Sequence, residues 1–316
     1  MKAMVYHEYG SPESLELQEI DTPVPDETDV LLKVRAVSVN WLDWHFLTGT
    51  PVLVRLMADL LKPKNYVLGI DVAGRVEAVG AKVSEFKPGD EVFGSTAHGC
   101  FAEYVIVRPD ELQFKPANLS FEAAAAAGAA AIIALRGLQE LGQITPGQEV
   151  LINGASGGVG TFSVQIAGVL GATVTGVCST HSQDLVRALG ADRVIDYARQ
   201  DFADDVERYD LIFDVAAKRT FSECRSALKP QGIYVTTAFS PVLVLQSQWI
   251  SKTGSQKMAP VPPRPPSRKD LTMVRELLES GAVVPVIDRC YPLDELPQAL
   301  QYLSKGHAQG KIVISV

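Results

Sequence analysis

Apolar residues follow two different rhythms along this chain. Over residues 1–120 they come in short runs, at 3–6, 30–39, 74–79 and 104–107, separated by turn signals such as Lys87-Pro-Gly-Asp90. Short apolar runs between Gly and Pro predict β-strands, here in an antiparallel, barrel-like pattern. From Phe121 the composition shifts to an alanine-rich helix that ends near Leu141-Gly142. From Glu149 strands and helices alternate, with strands at 149–153, 172–178, 194–195, 211–215 and 233–237. That alternation predicts a doubly wound parallel sheet. After Ala238 the rhythm breaks, and Ala259-Pro-Val-Pro-Pro-Arg-Pro-Pro-Ser267 predicts a stiff, extended connection. A helix at 268–279, a strand at 283–287, a helix at 294–303 and a last strand at 312–316 follow. These tail elements are expected to fold back on the N-terminal part and make that domain discontinuous.

The junction of the two rhythms carries the candidate chemistry. Residues 149–160, EVLINGASGGVG, read as a buried strand, a glycine turn and a helix start. Val159, Phe162 and Ile166 continue at helical spacing, and Gly171 supplies the stop. Glycines let backbone approach a ligand closely. The first turn of the next helix offers unpaired N–H groups and a positive dipole end, which suit a pyrophosphate. Of the pattern G-x-G-x-x-G, Gly157 and Gly160 are present, while Ala155 stands at the first position. A bare glycine run is weak evidence, but the strand–turn–helix context makes a dinucleotide site the stronger reading.

The second strand bears on which dinucleotide. An NAD site usually places a carboxylate about 20 residues past the turn, on the ribose 2′-hydroxyl. Here that place reads Cys178-Ser-Thr-His-Ser182, with no carboxylate. Ser179, Thr180 and His181 offer donors to a 2′-phosphate, which favours NADPH. Ser179 and Thr180 serve equally as caps for the helix starting near Gln183.

Composition narrows the field further. The chain has 316 residues, 47% hydrophobic and 21% charged, enough apolar material for two cores. A net charge of −8 argues against general nucleic-acid or anionic-membrane binding. Cys100, Cys178, Cys224 and Cys290 are scattered, so neither a disulfide framework nor a cysteine zinc site is expected. The N-terminus lacks the marks of a secretory leader, and a reducing, cytoplasmic setting is expected. The longest apolar run, 123–138, is shorter than a typical bilayer span.

Several stretches, in order over nearly the whole chain, carry a family resemblance. They are Val39-Asn-Trp-Leu-Asp43, Leu68-Gly-Ile-Asp-Val-Ala-Gly74, Pro88-Gly-Asp-Glu-Val-Phe-Gly94, Phe101-Ala-Glu-Tyr104, residues 147–160, Leu189-Gly-Ala-Asp192, Val194-Ile-Asp-Tyr197 and Gly310-Lys-Ile-Val313. The chain resembles the medium-chain dehydrogenase/reductase superfamily, and within it the zinc-free quinone oxidoreductases of the zeta-crystallin-like branch. The resemblance implies an α/β fold: a Rossmann doubly wound parallel sheet at 121–261 and a discontinuous, GroES-like β-rich substrate domain at 1–120 and 262–316. It implies NADPH as cofactor, a small quinone or enone as substrate, and a homodimer. By position, Ser156, Gly157, Gly158, Val159 and Gly160 match the pyrophosphate turn. Ser179 matches the residue at the 2′-phosphate, and Tyr197 a tyrosine beside it. Asn40 matches an asparagine near the nicotinamide, which either orients the carboxamide or donates to the developing oxyanion. Its competing role is to stabilise the turn after the strand at 30–39. Asp43 reads as a helix-start residue. Tyr66 and His45 are candidate proton donors without a fixed place.

The resemblance also bears on metal. Zinc alcohol dehydrogenases of the superfamily carry a cysteine near position 40 and glycine-histidine-glutamate near 70; here stand Asn40 and Gly69-Ile-Asp71. A catalytic zinc needs three protein ligands, so no metal is expected. An electron-poor acceptor such as a quinone or α,β-unsaturated carbonyl takes hydride without a Lewis acid, given position and a water-poor cleft. Three departures from the family stand at Ile133-Ala134, at Asp214-Val-Ala-Ala217 and at His181. The first two leave room for a catalytically weak NADPH-binding protein, and His181 for weaker or pH-sensitive 2′-phosphate binding. A metal-assisted alcohol dehydrogenase, against which the missing ligands count, is the other alternative.

Overall fold

The computed structural model describes residues 1–52, 54–55, 63 and 66–316. The chain divides into two compact units. The first comprises Met1–Ala129, Pro265–Ser280 and Pro285–Val316, the second Ala130–Arg264 and Gly281–Val284.

The first unit opens with β1 (Lys2–Val5) and β2 (Glu16–Glu19), an antiparallel ribbon. The long strand β3 (Val30–Val39) runs into α1 (Trp41–Thr48). β4 (Asp71–Val79) pairs antiparallel along almost all of β3, bringing Ser38 opposite Asp71. β5 (Glu91–Ser95), β6 (Tyr104–Val107) and β7 (Leu112–Phe114) complete this half of the sheet. Val30, Leu32, Val34, Val37 and Val39 of β3 enter one core with Val72, Val76, Val92 and Phe101. Strands β2, β5 and β7 escape a sequence pattern because, at four, five and three residues, they are too short for an alternation to register.

The helix α2 (Phe121–Leu135) is kinked at Gly128 and continues as a π-turn at Arg136–Leu141. Together they reach 21 residues, long and apolar enough by those two measures to cross a membrane, which corrects the shorter run read from the sequence. Buried residues make up 72% of the apolar window, so the fold uses it as a core helix.

The second unit then alternates: β8 (Glu149–Asn153), α3 (Gly158–Val169), β9 (Thr173–Cys178), α4 (Gln183–Ala188), β10 (Arg193–Asp196), β11 (Tyr209–Asp214), α5 (Phe221–Cys224), β12 (Leu228–Thr236), α6 (Pro241–Thr253) and β13 (Lys257–Pro260). All pairings are parallel, in the order β10-β9-β8-β11-β12-β13. The strand order reverses between β8 and β11. In open α/β sheets the crevice beyond the strand ends at such a point is where ligands bind.

Helix α6 and strand β13 lie where the sequence rhythm breaks. Ser240 caps α6, its Oγ accepting from the Leu243 N–H (3.2 Å), with Pro241 in the first turn. The apolar stripe of α6 is present at Val242, Leu245 and Trp249, yet all three are mainly exposed.

The chain returns to the first unit through α7 (Arg268–Glu279), β14 (Ile287–Pro292), α8 (Leu296–Ser304) and β15 (Lys311–Ser315). The strand expected at 283–287 begins only at Ile287. Its would-be ladder groups are taken: the Val284 N–H donates to Gln165 Oε1 (2.8 Å), and Gln165 Nε2 donates to the Val284 carbonyl (3.0 Å). β15 pairs antiparallel with the second half of β3, Ile312 opposite Val39.

Candidate active site

In the second unit the sequence-predicted turn sits at the tip of β8. Gly154 takes φ +90°, and the Gly154 and Ala155 N–H groups both donate to the Val177 carbonyl at the end of β9 (3.1 and 3.0 Å). Gly157 caps α3, leaving Gly158, Val159 and Gly160 in its first turn. The two outer glycines do different work. A Cβ on Gly157 would meet only the Gly154 carbonyl oxygen at 3.5 Å, so space opens in front of it. A Cβ on Gly160 would lie 2.0 Å from that oxygen, so Gly160 seats the helix on the turn. Open backbone at Gly157 and a helix N-terminus fit a pyrophosphate.

Beside the turn, β11 ends at the fully buried Asp214. Asn153 Nδ2 donates to Asp214 Oδ1 (2.7 Å), and the Arg219 N–H to Oδ2 (3.0 Å). The Tyr234 hydroxyl, 3.0 Å from Oδ2, also reaches the Arg219 carbonyl at 2.6 Å. Burial pushes this phenol well above its ordinary pKa. The Val215 and Ala216 N–H groups donate to the Asn153 carbonyl (both 3.0 Å), so the loop after β11 is tied to β8. Within it Ala217 stands at φ +53°, left-handed backbone that costs a non-glycine residue roughly 1 kcal/mol. The departure at Asp214-Val-Ala-Ala217 is thus a built loop centred on a carboxylate.

Just past the same end of β9, Ser179 Oγ is 3.1 Å from Ser182 Oγ, and Tyr197 is 61% exposed. The structure adds what the sequence position hid. β10 pairs in parallel with β9, placing Asp196 opposite Cys178, and the Thr180 hydroxyl donates to Asp196 Oδ2 at 2.6 Å. A carboxylate therefore stands at this strand tip after all, delivered by the neighbouring strand. The Thr180 hydroxyl and the Ala198 N–H hold Asp196 below the usual carboxylate range, so it is ionised at neutral pH. Thr180 has spent its proton there, leaving Ser179, His181 and Tyr197 as the predicted donors to a 2′-phosphate.

In the first unit a second polar cluster is built around Asp71. Asp71 is fully buried and gathers four donor groups from three stretches of chain. Ser38 Oγ donates to Oδ2 (2.7 Å), Asn40 Nδ2 to Oδ2 (3.0 Å) and the Ala129 N–H to Oδ1 (2.7 Å), while Lys311 Nζ lies 3.7 Å from Oδ2. The kink at Gly128 brings the Ala129 amide here. Asn40 Nδ2 also donates to the Ser38 carbonyl (3.0 Å), and Asn40 Oδ1 accepts from Lys311 Nζ (2.5 Å). Asp43, also fully buried, accepts from the Asn40 N–H (2.8 Å) and the Gly69 N–H (3.1 Å). Burial pushes its carboxyl up to about 7, with the two backbone donors opposing. Burial likewise lowers Lys311, against the pull of Asp71 and Asp43. Sequence reasoning named Asn40 and Asp43 but passed over Ser38, Asp71 and Lys311. The available signal was a lone charge in each of two strongly apolar strands, Gly69-Ile-Asp-Val-Ala and Lys311-Ile-Val-Ile. Of the two candidate proton donors, His45 Nδ1 is bonded to the Thr50 carbonyl (2.7 Å) and Tyr66 is exposed.

Comparison with known proteins decides the family. Residues 26–117 match the alcohol dehydrogenase GroES-like domain and residues 189–314 the zinc-binding dehydrogenase family. A mitochondrial NAD(P)H oxidoreductase of Bos taurus is 34% identical, over 100% of this chain and 89% of the relative. The chain belongs to the medium-chain dehydrogenase/reductase superfamily. A 2-methylene-furan-3-one reductase of Solanum lycopersicum is 33% identical, over 99% of this chain and 79% of that one. The quinone oxidoreductase of Coxiella burnetii superposes with a TM-score of 0.90 at 28% identity, covering 100% of this chain and 99% of the other. This medium-chain reductase is by class an NAD(P)H oxidoreductase with a Rossmann-like parallel sheet and a GroES-like domain. Among the described residues no group of three or more His, Cys, Asp or Glu is placed to hold a metal ion.

Proposed function

We propose that this medium-chain reductase transfers hydride from NADPH to a quinone or an α,β-unsaturated carbonyl without a metal. The observation that carries the reading is the donor set around position 40. Where a zinc enzyme of the superfamily presents cysteine and histidine, this chain presents the Asn40 amide and Ile70. An ion on Asn40 Oδ1 or Asp71 Oδ2 would share that oxygen with a buried ammonium at 2.5 or 3.7 Å. Like charges at such range repel strongly out of water. The names of the tomato and Coxiella relatives, an enone reductase and a quinone oxidoreductase, support the acceptor class.

The residues divide the work. Backbone N–H groups of Gly158, Val159 and Gly160 would receive the pyrophosphate, with Ser156 beside them in the turn and Gly157 leaving it room. Ser179, His181 and Tyr197 receive the 2′-phosphate, with Thr180 braced on Asp196. The cofactor supplies the hydride. Both Asn40 amide protons are committed to Ser38 and Asp71. Asn40 thus offers only an oxygen lone pair, which suits accepting from a carboxamide N–H and not donating to an oxyanion.

The deciding experiment follows NADPH oxidation across quinones, enals and enones, with and without a chelator. Turnover unaffected by chelation is expected. Loss restored by zinc would establish the metal-assisted alternative, and tight NADPH binding without turnover on any acceptor the non-catalytic one. Cofactor choice has its own test. Ser179→Asp adds a second carboxylate near Asp196 and should move the NADPH/NADH ratio of kcat/KM toward NADH by about tenfold or more. An unchanged ratio would place the 2′-phosphate elsewhere.

A further inference from the structure

Asn40 has no freedom in this fold, and the residue that removes it comes from the far end of the chain. A side-chain amide can be turned over, exchanging its oxygen and nitrogen. At Asn40 the neighbours forbid the exchange. Lysine has only donors, so the group 2.5 Å from Lys311 Nζ must be the oxygen. A carboxylate and a carbonyl only accept, so the group 3.0 Å from both Asp71 Oδ2 and the Ser38 carbonyl must be the nitrogen. Lys311 is 4% exposed, and its Nζ also reaches the Val39 carbonyl at 3.3 Å. β15 carries it there because Ile312 pairs with Val39, next to Asn40. A buried ammonium is costly unless it is paired and hydrogen-bonded, so a lysine kept there has a local task.

We propose that Lys311 is a positioning residue: its ammonium locks the Asn40 amide so that one oxygen lone pair, and no N–H, faces outward, and it balances the Asp71 carboxylate that holds the other side. This deepens the reading above and rests on it for the catalytic consequence, while the lock itself is a property of the protein alone. Without the ammonium the amide can flip and present an N–H where the carboxamide needs an acceptor.

The test has two arms. In the first, NMR follows the Asn40 side-chain amide, assigned by its loss in Asn40→Ala, in the nitrogen-labelled protein without ligand. Both amide protons should exchange slowly in the wild type and lose that protection in Lys311→Met, while Lys311→Arg keeps it. Unchanged protection in a folded Lys311→Met protein overturns the lock. Should that variant not fold, the wild-type ammonium itself decides. It should be visible as a slowly exchanging lysine signal that is lost in Asn40→Ala, and a freely exchanging wild-type ammonium overturns the proposal. In the second arm, kcat for NADPH-dependent reduction of a naphthoquinone is measured for Lys311→Met, Asn40→Ala and the double variant. Lys311→Met should lower kcat about 100-fold with the KM for NADPH little changed, because a misplaced contact mainly costs the chemical step. In the Asn40→Ala background the same change should cost almost nothing more, whereas additive losses overturn action through Asn40. A wild type that binds NADPH yet reduces no quinone would sink the functional reading alone, since the amide spectra judge the lock independently.

Discussion

Gly160→Ala is expected to weaken NADPH binding by about 100-fold or more and to destabilise the second unit, for a reason internal to the protein. The new methyl would sit 2.0 Å from the Gly154 carbonyl oxygen and 2.8 to 2.9 Å from the Ala155 backbone. These are main-chain atoms pinned by the bonds from Gly154 and Ala155 to Val177, so they have no rotamer to yield. Either the turn lifts or α3 slides, and both displace the first-turn N–H groups proposed to receive the pyrophosphate. Overpacking of this kind costs about 1–3 kcal/mol or more. Gly157→Ala is the control. Its methyl makes ordinary contact at 3.5 Å, and Gly157 has φ −80°, open to alanine. That variant should melt like the wild type and still bind NADPH poorly, since its methyl occupies the space proposed for the pyrophosphate. If Gly160→Ala melts normally and binds NADPH normally, the account of the turn is wrong.

The second large effect is expected at Gly128→Ala. A Cβ there would fall 2.4 Å from Asp71 Oδ1 and 2.8 Å from its Cγ. The collision is with the carboxylate that Ser38, Asn40 and the Ala129 N–H all address. Pushing Asp71 aside opens three hydrogen bonds to a buried carboxylate at once, each worth about 1–3 kcal/mol when a charged group is left unsatisfied. A loss of about 3 kcal/mol or more in unfolding free energy is expected, with turnover falling below what the residual folded fraction explains. Gly168→Ala separates this from helix propensity. Gly168 lies inside α3 with nothing within 4 Å of a Cβ, so that change should stabilise by about 0.5–1 kcal/mol. Equal effects at both glycines would remove Asp71 from the explanation.

The reach of sequence reasoning differs between the two sites. The strand–turn–helix at residues 149–169 was legible because strand, glycines and helix start are contiguous and need only local order. Helix α6 was missed although its start carries Ser240-Pro241, because its apolar stripe at Val242, Leu245 and Trp249 faces outward and the rule that apolar faces mark a core does not apply. The strand assigned to 283–287 failed for the opposite reason. Val283, Val284 and Val286 favour strand, but the Val284 backbone groups had already been claimed by Gln165. The missing carboxylate at the β9 tip was a statement about one strand, while parallel pairing supplied Asp196 from the next.

What the amino-acid order determined by itself is everything that depends on neighbours within about one helical turn or one strand: the change from barrel-like to alternating elements, the glycine turn with its helix, and the loss of cysteine and histidine at the zinc-ligand positions. What only the tertiary structure decided is how charges 31 and 271 residues from Asn40 converge on it. Strand register sets that distance, placing Asp71 opposite Ser38 and Ile312 opposite Val39. No property of Asp71 or Lys311 alone announces the pairing. Buried charges must find partners wherever the chain brings them, and the sheet, not the sequence spacing, fixes where that is.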